Sequence, residues 1–93
     1  MAIRTAEARW EGNLKKGKGT IKLGSGVFVG NYSFGSRFKK VSGTNPEELI
    51  GAAHAGCYSM ALSMILELTG FTADSIQTTA RVSIDKVGGG RRL

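Results

Sequence analysis

The fold is decided by residues 44–57, which read TNPEELIGAAHAGC. Asn45 is a favoured helix N-cap, Pro46 suits the first helical position, and Glu48 stands three residues after the cap, as in a capping box. No proline interrupts the segment that follows, and Gly70 supplies a C-terminal stop. The sequence therefore predicts a helix that begins at Pro46 and ends near Thr69, roughly 24 residues or ~36 Å long.

The predicted helix carries an apolar stripe that contains the chain's only cysteine. The stripe recurs at spacings of three and four residues and consists of Leu49, Ile50, Ala53, Cys57, Met60, Ala61, Met64, Ile65 and Leu68. We expect this stripe to be a packed face. Gly51 and Gly56 lie beside it and allow another backbone to approach closely, although each glycine costs the helix roughly 1 kcal/mol relative to alanine.

Cys57 has two interpretations from spacing alone. Free cysteine is among the most buried residue types, so a buried structural thiol is the commoner one. His54 stands one helical turn earlier and could polarise the thiol. No Asp or Asn stands nearby in the sequence to orient that histidine, which makes a catalytic Cys-His pair the weaker interpretation.

Length and composition limit the class of protein. The chain has 93 residues, enough for one small domain, and a single cysteine excludes an intrachain disulfide or a multi-thiol metal site within it. The lone thiol and the absence of a signal-peptide pattern predict a cytoplasmic, reducing location. His54 and Glu67 interrupt the apolar character of the helix, so no membrane span is expected.

The net charge of +6 raises the question of a polyanionic partner. The basic residues form short clusters around turns and do not alternate with aromatic residues, as a base-stacking surface would require. We expect a solvated basic rim, and nucleic-acid binding is the disfavoured alternative.

The rest of the chain predicts mainly strands. Strands are expected near residues 3–11, 20–23 and 27–30, followed by an irregular fourth strand through Tyr32, Phe34 and Phe38. Residues 75–87 alternate in polarity and predict a long strand that needs partners, whereas residues 88–93 predict a flexible glycine-rich basic tail with nothing to pair. The resulting class is α+β, with the helix laid on an antiparallel sheet in a domain of residues 1–87.

Four sequence segments together resemble the OsmC branch of the OsmC/Ohr family of organic hydroperoxide reductases. They are the helix start quoted above, Trp10-Glu11-Gly12, Ser36-Arg37-Phe38 and residues 83–87. The resemblance covers the chain up to about Val87 and implies the N-terminal half of an OsmC-like fold. It also implies a thiol-dependent peroxidase of stress defence that forms intertwined homodimers without metal or haem.

The resemblance assigns three site residues. Cys57 matches the family's peroxidatic cysteine, Arg37 its active-site arginine and Glu47 the acidic partner of that arginine. A thiolate is the species that attacks the peroxide O–O bond, and a guanidinium near sulfur favours the thiolate and donates hydrogen bonds to peroxide oxygens. A glutamate fixes a guanidinium through a bidentate contact.

Helix geometry restricts how Glu47 and Cys57 serve one site. They stand ten residues apart, which is ~15 Å along one helix. They do not meet within one chain, so a shared site requires the glutamate of a partner subunit across a two-fold axis. This agrees with the shared-site dimer that the resemblance implies.

The resemblance also implies a second, resolving cysteine on a later helix, which the 93 residues do not contain. The chain thus ends before the second half of the domain, which a truncation, a frame change or a fragment would each explain, and we expect the missing cysteine to impair turnover. Its reductant would be a small dithiol or a lipoylated protein. The alternative is a catalytically inactive structural or oligomerising fragment of such a peroxidase.

Overall fold

The computed structural model describes residues 2–87 and 90–92. Contacts divide the chain into two compact units, Met1–Pro46 and Glu47–Leu93, and each is described by itself. The first unit holds a three-stranded sheet and a short helix, and the second holds a long helix and an extended segment. The α+β class is thus confirmed, whereas the laying of the helix on the sheet stays a prediction.

Three antiparallel strands form the sheet in the order β1-β2-β3. They are β1 (Ala6–Glu11), β2 (Lys18–Leu23) and β3 (Val29–Tyr32). Tight turns join them, and Gly26 adopts φ +81° in the predicted 24–26 turn, where its N–H donates to the Leu23 carbonyl at 2.9 Å. The three predicted strands are confirmed, with the third shifted two residues along the chain.

Alternation along the strands separates a half-buried face from an exposed one. On the half-buried face, Trp10, Gly19 and Tyr32 stand in one row across the three strands. The rings of Trp10 and Tyr32 lie 5.4 Å apart between centroids, tilted by 52°. They meet over Gly19, because a Cβ there would lie 2.7 Å from Trp10 and 2.5 Å from Tyr32.

The fourth, irregular strand predicted through Tyr32, Phe34 and Phe38 is wrong beyond the end of β3. Residues Phe34–Phe38 form a short helix, α1. Its N-cap is Ser33, whose hydroxyl accepts from the Ser36 N–H at 3.0 Å while the Ser36 hydroxyl accepts from the Ser33 N–H at 2.8 Å. This reciprocal capping box stops the chain from continuing as a strand.

The long helix α2 spans Pro46–Leu68, and its predicted start and length are confirmed. It ends as a Schellman motif, in which the Phe71 N–H donates to the Leu66 carbonyl at 2.9 Å and the Gly70 N–H to the Glu67 carbonyl at 3.0 Å. Gly70 has φ +93°, a conformation that favours glycine, so the predicted stop at this residue is also confirmed.

The long strand predicted over residues 75–87 is wrong for 75–84, which pair with no strand within the described ranges 2–87 and 90–92. The segment packs along α2 instead. The Ser59 and Thr78 hydroxyls are 2.6 Å apart, and a Cβ at Gly51 would meet Val82 and Ala80 at 3.4 and 3.6 Å. Even-numbered residues from 76 to 84 are half-covered and odd-numbered ones exposed, so the alternation reflects packing on a helix.

A two-stranded sheet lies at the end of the described chain. Strand β4 (Asp85–Val87) pairs antiparallel with β5 (Gly90–Arg92). The expectation that residues 90–92 have nothing to pair with is therefore wrong, because they form ladder pairs with residues 85–87 of the same chain. Residues 88, 89 and 93 lie outside the described residues, and the domain boundary at 87 stays a prediction.

The predicted apolar stripe of α2 is exposed in the single chain, so its expected packing is not made there. Met60 is 78% and Leu68 79% exposed, and no hydrophobic residue is fully buried in the part of the chain that the structure describes. By length and composition α2 could cross a membrane, since an 18-residue window has a mean hydropathy of 1.5. Core helices of soluble proteins pass the same test, so the expectation of no membrane span stays a prediction.

Candidate active site

Cys57 lies in the middle of α2 and is exposed. It lines an open, mainly apolar hollow on the helix surface whose other walls are Met60, Ala61, Ser63, Met64, Glu67 and Leu68. The interpretation of a buried structural thiol is therefore wrong for the single chain. An exposed thiol on a rigid helix is accessible to an oxidant, and the apolar walls suit an organic one.

His54 does not form the Cys-His pair. It lines a different hollow together with Tyr58, Thr79 and Arg81. Across residues 2–87 and 90–92, no hydrogen bond joins His54 to Cys57. The geometry thus agrees with the sequence in disfavouring histidine activation of the thiol.

Glu47 lies in the first turn of α2 and is only 6% exposed. A buried carboxylate is costly unless it is hydrogen-bonded or paired. Every buried side-chain nitrogen or oxygen that the structure describes has a partner. The carboxylate at this helix N-terminus also has a favourable interaction with the helix dipole. Glu47 is thus a fixed acidic group and not a solvated surface charge.

Arg37 lies in the last turn of α1 and is half-buried. Its guanidinium carbon lies 5.2 Å from the centroid of the Phe38 ring, and the Phe38 and Phe34 rings are 4.9 Å apart. The hollow beside it is lined by Trp10, Leu14, Tyr32, Ser33, Phe34 and Phe38. A guanidinium over an aromatic face is held by that contact, while its N–H groups lie at the edge of its plane.

The three predicted site residues are distributed over both units. Glu47 and Cys57 share α2 at a separation of ~15 Å along its axis, as its unbroken course requires. Arg37 belongs to Met1–Pro46 and Cys57 to Glu47–Leu93, so their meeting in one site stays a prediction.

Sequence reasoning missed Ser36 and the aromatic lining around Arg37. Ser36 is 6% exposed and is the buried residue of α1. The signal was present as two serines three residues apart, Ser33 and Ser36, just before a possible helical turn. The alternating aromatic residues around them favoured a strand and concealed it.

Comparison with known proteins defines the class. The OsmC-like protein family matches residues 39–92, more than half of the chain. The chain therefore belongs to the OsmC-like protein family.

The similarity to individual proteins is also high. The chain is 57% identical over 88 residues to Peroxiredoxin OsmC of Escherichia coli K12 and, to the same degree, to Peroxiredoxin OsmC of Shigella flexneri. The aligned region covers 94% of this chain and 62% of each of those proteins. The chain thus spans somewhat less than two thirds of the length of these relatives.

Proposed function

We propose that this chain carries the peroxidatic half of a thiol-dependent peroxidase that reduces organic hydroperoxides to alcohols. The observation that carries the proposal is the exposed Cys57, the only thiol of the chain, on the helix of a protein 57% identical to a peroxiredoxin. The apolar walls of the Cys57 hollow favour a hydroperoxide with an organic group over a small, fully hydrated peroxide.

The first chemical step oxidises Cys57. Its thiolate attacks one oxygen of the O–O bond, sulfur gains that oxygen as sulfenic acid, and the other oxygen leaves as the alcohol after taking up a proton. Arg37 donates hydrogen bonds to the peroxide oxygens and stabilises the charge on the leaving oxygen. Glu47 fixes the guanidinium.

Regeneration uses thiols. One reductant thiol condenses with the sulfenic acid to a mixed disulfide and releases water, and a second thiol then displaces Cys57 and forms the reductant disulfide. A dithiol or a lipoylated protein performs both steps. We place this cycle in the reducing cytoplasm, where Cys57 returns to the thiol.

The site is completed by a homodimer. Because Glu47 and Cys57 are ~15 Å apart on one helix, the glutamate that serves a given thiol comes from the second copy. The exposed stripe of α2, with Met60, Met64 and Leu68, supplies an apolar surface for that contact. Burial of such a surface is the main favourable term in association.

The test is trapping of sulfenic acid. The chain is treated with stoichiometric cumene hydroperoxide and then with dimedone, and the adduct is located by mass spectrometry, with Cys57→Ser as the control. We expect one adduct on Cys57, formed faster than on free cysteine. A thiol no faster than free cysteine would favour the alternative, an inactive oligomerising fragment, which the exposed apolar stripe also fits.

A further inference from the structure

Ser36 is a buried, hydrogen-bonded residue next to Arg37, and it has a role that the family comparison does not assign. It is 6% exposed and precedes Arg37 in α1. Its hydroxyl accepts from the Ser33 N–H at 2.8 Å and donates to the Thr44 carbonyl at 2.8 Å. One buried oxygen thus joins the start of α1 to a segment eight residues later.

The same residue is held through its backbone. The Ser36 N–H donates to the Ser33 hydroxyl at 3.0 Å, and the Asn45 side-chain amide donates to the Ser36 carbonyl at 3.4 Å. Thr44 in turn donates its N–H to the Asn31 carbonyl of β3 at 2.8 Å. The bonds form a continuous path from the edge strand β3 to α1.

Local geometry makes this path tight. Gly43 has φ +136°, and a Cβ there would lie 3.2 Å from both the Asn31 carbonyl oxygen and the Ser36 Cβ. Glycine is therefore required where the chain passes over Ser36.

A five-residue helix has almost no stability of its own, because nucleation costs more than one turn of hydrogen bonds returns. The orientation of α1, and with it the direction of the Arg37 side chain, depends on these external bonds. We infer that Ser36 is a positioning residue: it fastens α1 to β3 through Thr44 and so fixes the guanidinium of Arg37 for the hydroperoxide. The inference rests on the proposed function.

The test is a double-mutant cycle on the rate at which cumene hydroperoxide oxidises Cys57. Ser36→Ala is compared with the parent, and Ser36→Ala/Arg37→Lys with Arg37→Lys. Misplacing a catalytic group by about 1 Å can cost about 100-fold, so we expect Ser36→Ala to slow oxidation by about tenfold or more. In the Arg37→Lys chain it should change the rate by less than about twofold, because the planar guanidinium whose orientation matters is gone.

Two further variants secure the test. Ser33→Ala removes the cap oxygen but leaves the hydrogen bond from Ser36 to Thr44. It should slow oxidation less than Ser36→Ala does, and this effect should also vanish in the Arg37→Lys chain. This variant keeps the inference testable if Ser36→Ala does not fold. Ser59→Ala removes a serine hydroxyl bond of similar burial on α2 and should leave the rate within about twofold of the parent.

Other outcomes overturn the inference. Equal slowing in both backgrounds would make Ser36 a purely structural residue, and an unchanged rate for Ser36→Ala with Arg37 present would remove it from the site. Both results leave the peroxidase proposal intact, since the parent still reacts faster than free cysteine. Only a parent no faster than free cysteine would reject both proposals together.

Discussion

At the scale of the residue, Arg37 depends on its planar shape as much as on its charge. Lysine keeps the charge but loses the fork that both a carboxylate and a peroxide use. We predict that Arg37→Lys slows oxidation of Cys57 by an organic hydroperoxide by about tenfold. This is a cautious figure, because loss of one hydrogen-bond donor to a developing oxyanion often slows a reaction by more than that. The measurement is the second-order rate of thiol loss, with Lys40→Arg as the exposed control. A variant within twofold of the parent would remove Arg37 from the site.

Gly19 is a second residue whose side chain, or lack of one, decides local packing. A Cβ would lie 2.7 Å from the Trp10 ring and 2.5 Å from the Tyr32 ring, closer than real Cβ contacts. We predict that Gly19→Ala destabilises the chain by about 1–3 kcal/mol, the usual cost of overpacking. Gly56→Ala is the control: nothing outside the helix's own backbone and the chain neighbours lies within 4 Å of a Cβ there, so we expect no loss and a gain of up to about 1 kcal/mol from helix propensity. The denaturation midpoint in urea is measured for both variants, and an unchanged midpoint for Gly19→Ala would contradict the close packing of the two rings over Gly19.

At the scale of the element, residues that start or stop a helix predicted secondary structure well, whereas polarity patterns whose meaning depends on a packing partner did not. The bounds of α2 were predicted to within a residue from Asn45, Pro46 and Gly70, because helix start and stop signals act within one turn. The segment 75–84 needs a partner to become a strand, and a partner is not a property of the segment itself. The alternation of polarity along this segment is matched by alternating burial, but the half-covered side chains pack on α2 and not in a sheet. In the candidate site, Cys57, Arg37 and Glu47 stay predictions from family resemblance, whereas the hydrogen bonds of Ser36 are seen only in the folded chain.

The packing of this segment on α2 gives an element-scale prediction. A Cβ at Gly51 would meet Val82 at 3.4 Å and Ala80 at 3.6 Å, which is ordinary contact. Gly51→Ala should therefore stabilise the chain by up to about 1 kcal/mol through helix propensity. Gly51→Val adds two methyl groups that displace the segment, and we expect a loss of about 1–3 kcal/mol. Thermal unfolding of the Gly51→Ala and Gly51→Val variants measures both changes in stability. If valine were as well tolerated as alanine, the segment would not lie against the helix.

At the scale of the whole molecule, charge is divided unevenly along the chain. Residues 1–46 contain nine Lys and Arg against two Glu, and residues 47–93 contain four against five acidic residues. Six of these nine basic residues are exposed lysines, four in β2 and the turn before it and two directly after α1. The apolar stripe thus lies on the nearly neutral unit, and most of the positive charge lies on the other.

The last prediction concerns assembly. No hydrophobic residue that the structure describes is fully buried, and a chain of 93 residues without a core has little stability of its own. We predict that the chain sediments as a dimer or larger at micromolar concentration and that its unfolding temperature rises with protein concentration, because association stabilises by mass action. Replacing Met60 and Met64 by glutamate should shift it to monomer, because two charges then face the interface, whereas Leu14→Glu on the other unit should not. A folded 9.8 kDa monomer that unfolds cooperatively, at a temperature independent of concentration, would exclude the shared site and leave the exposed stripe of α2 without a role.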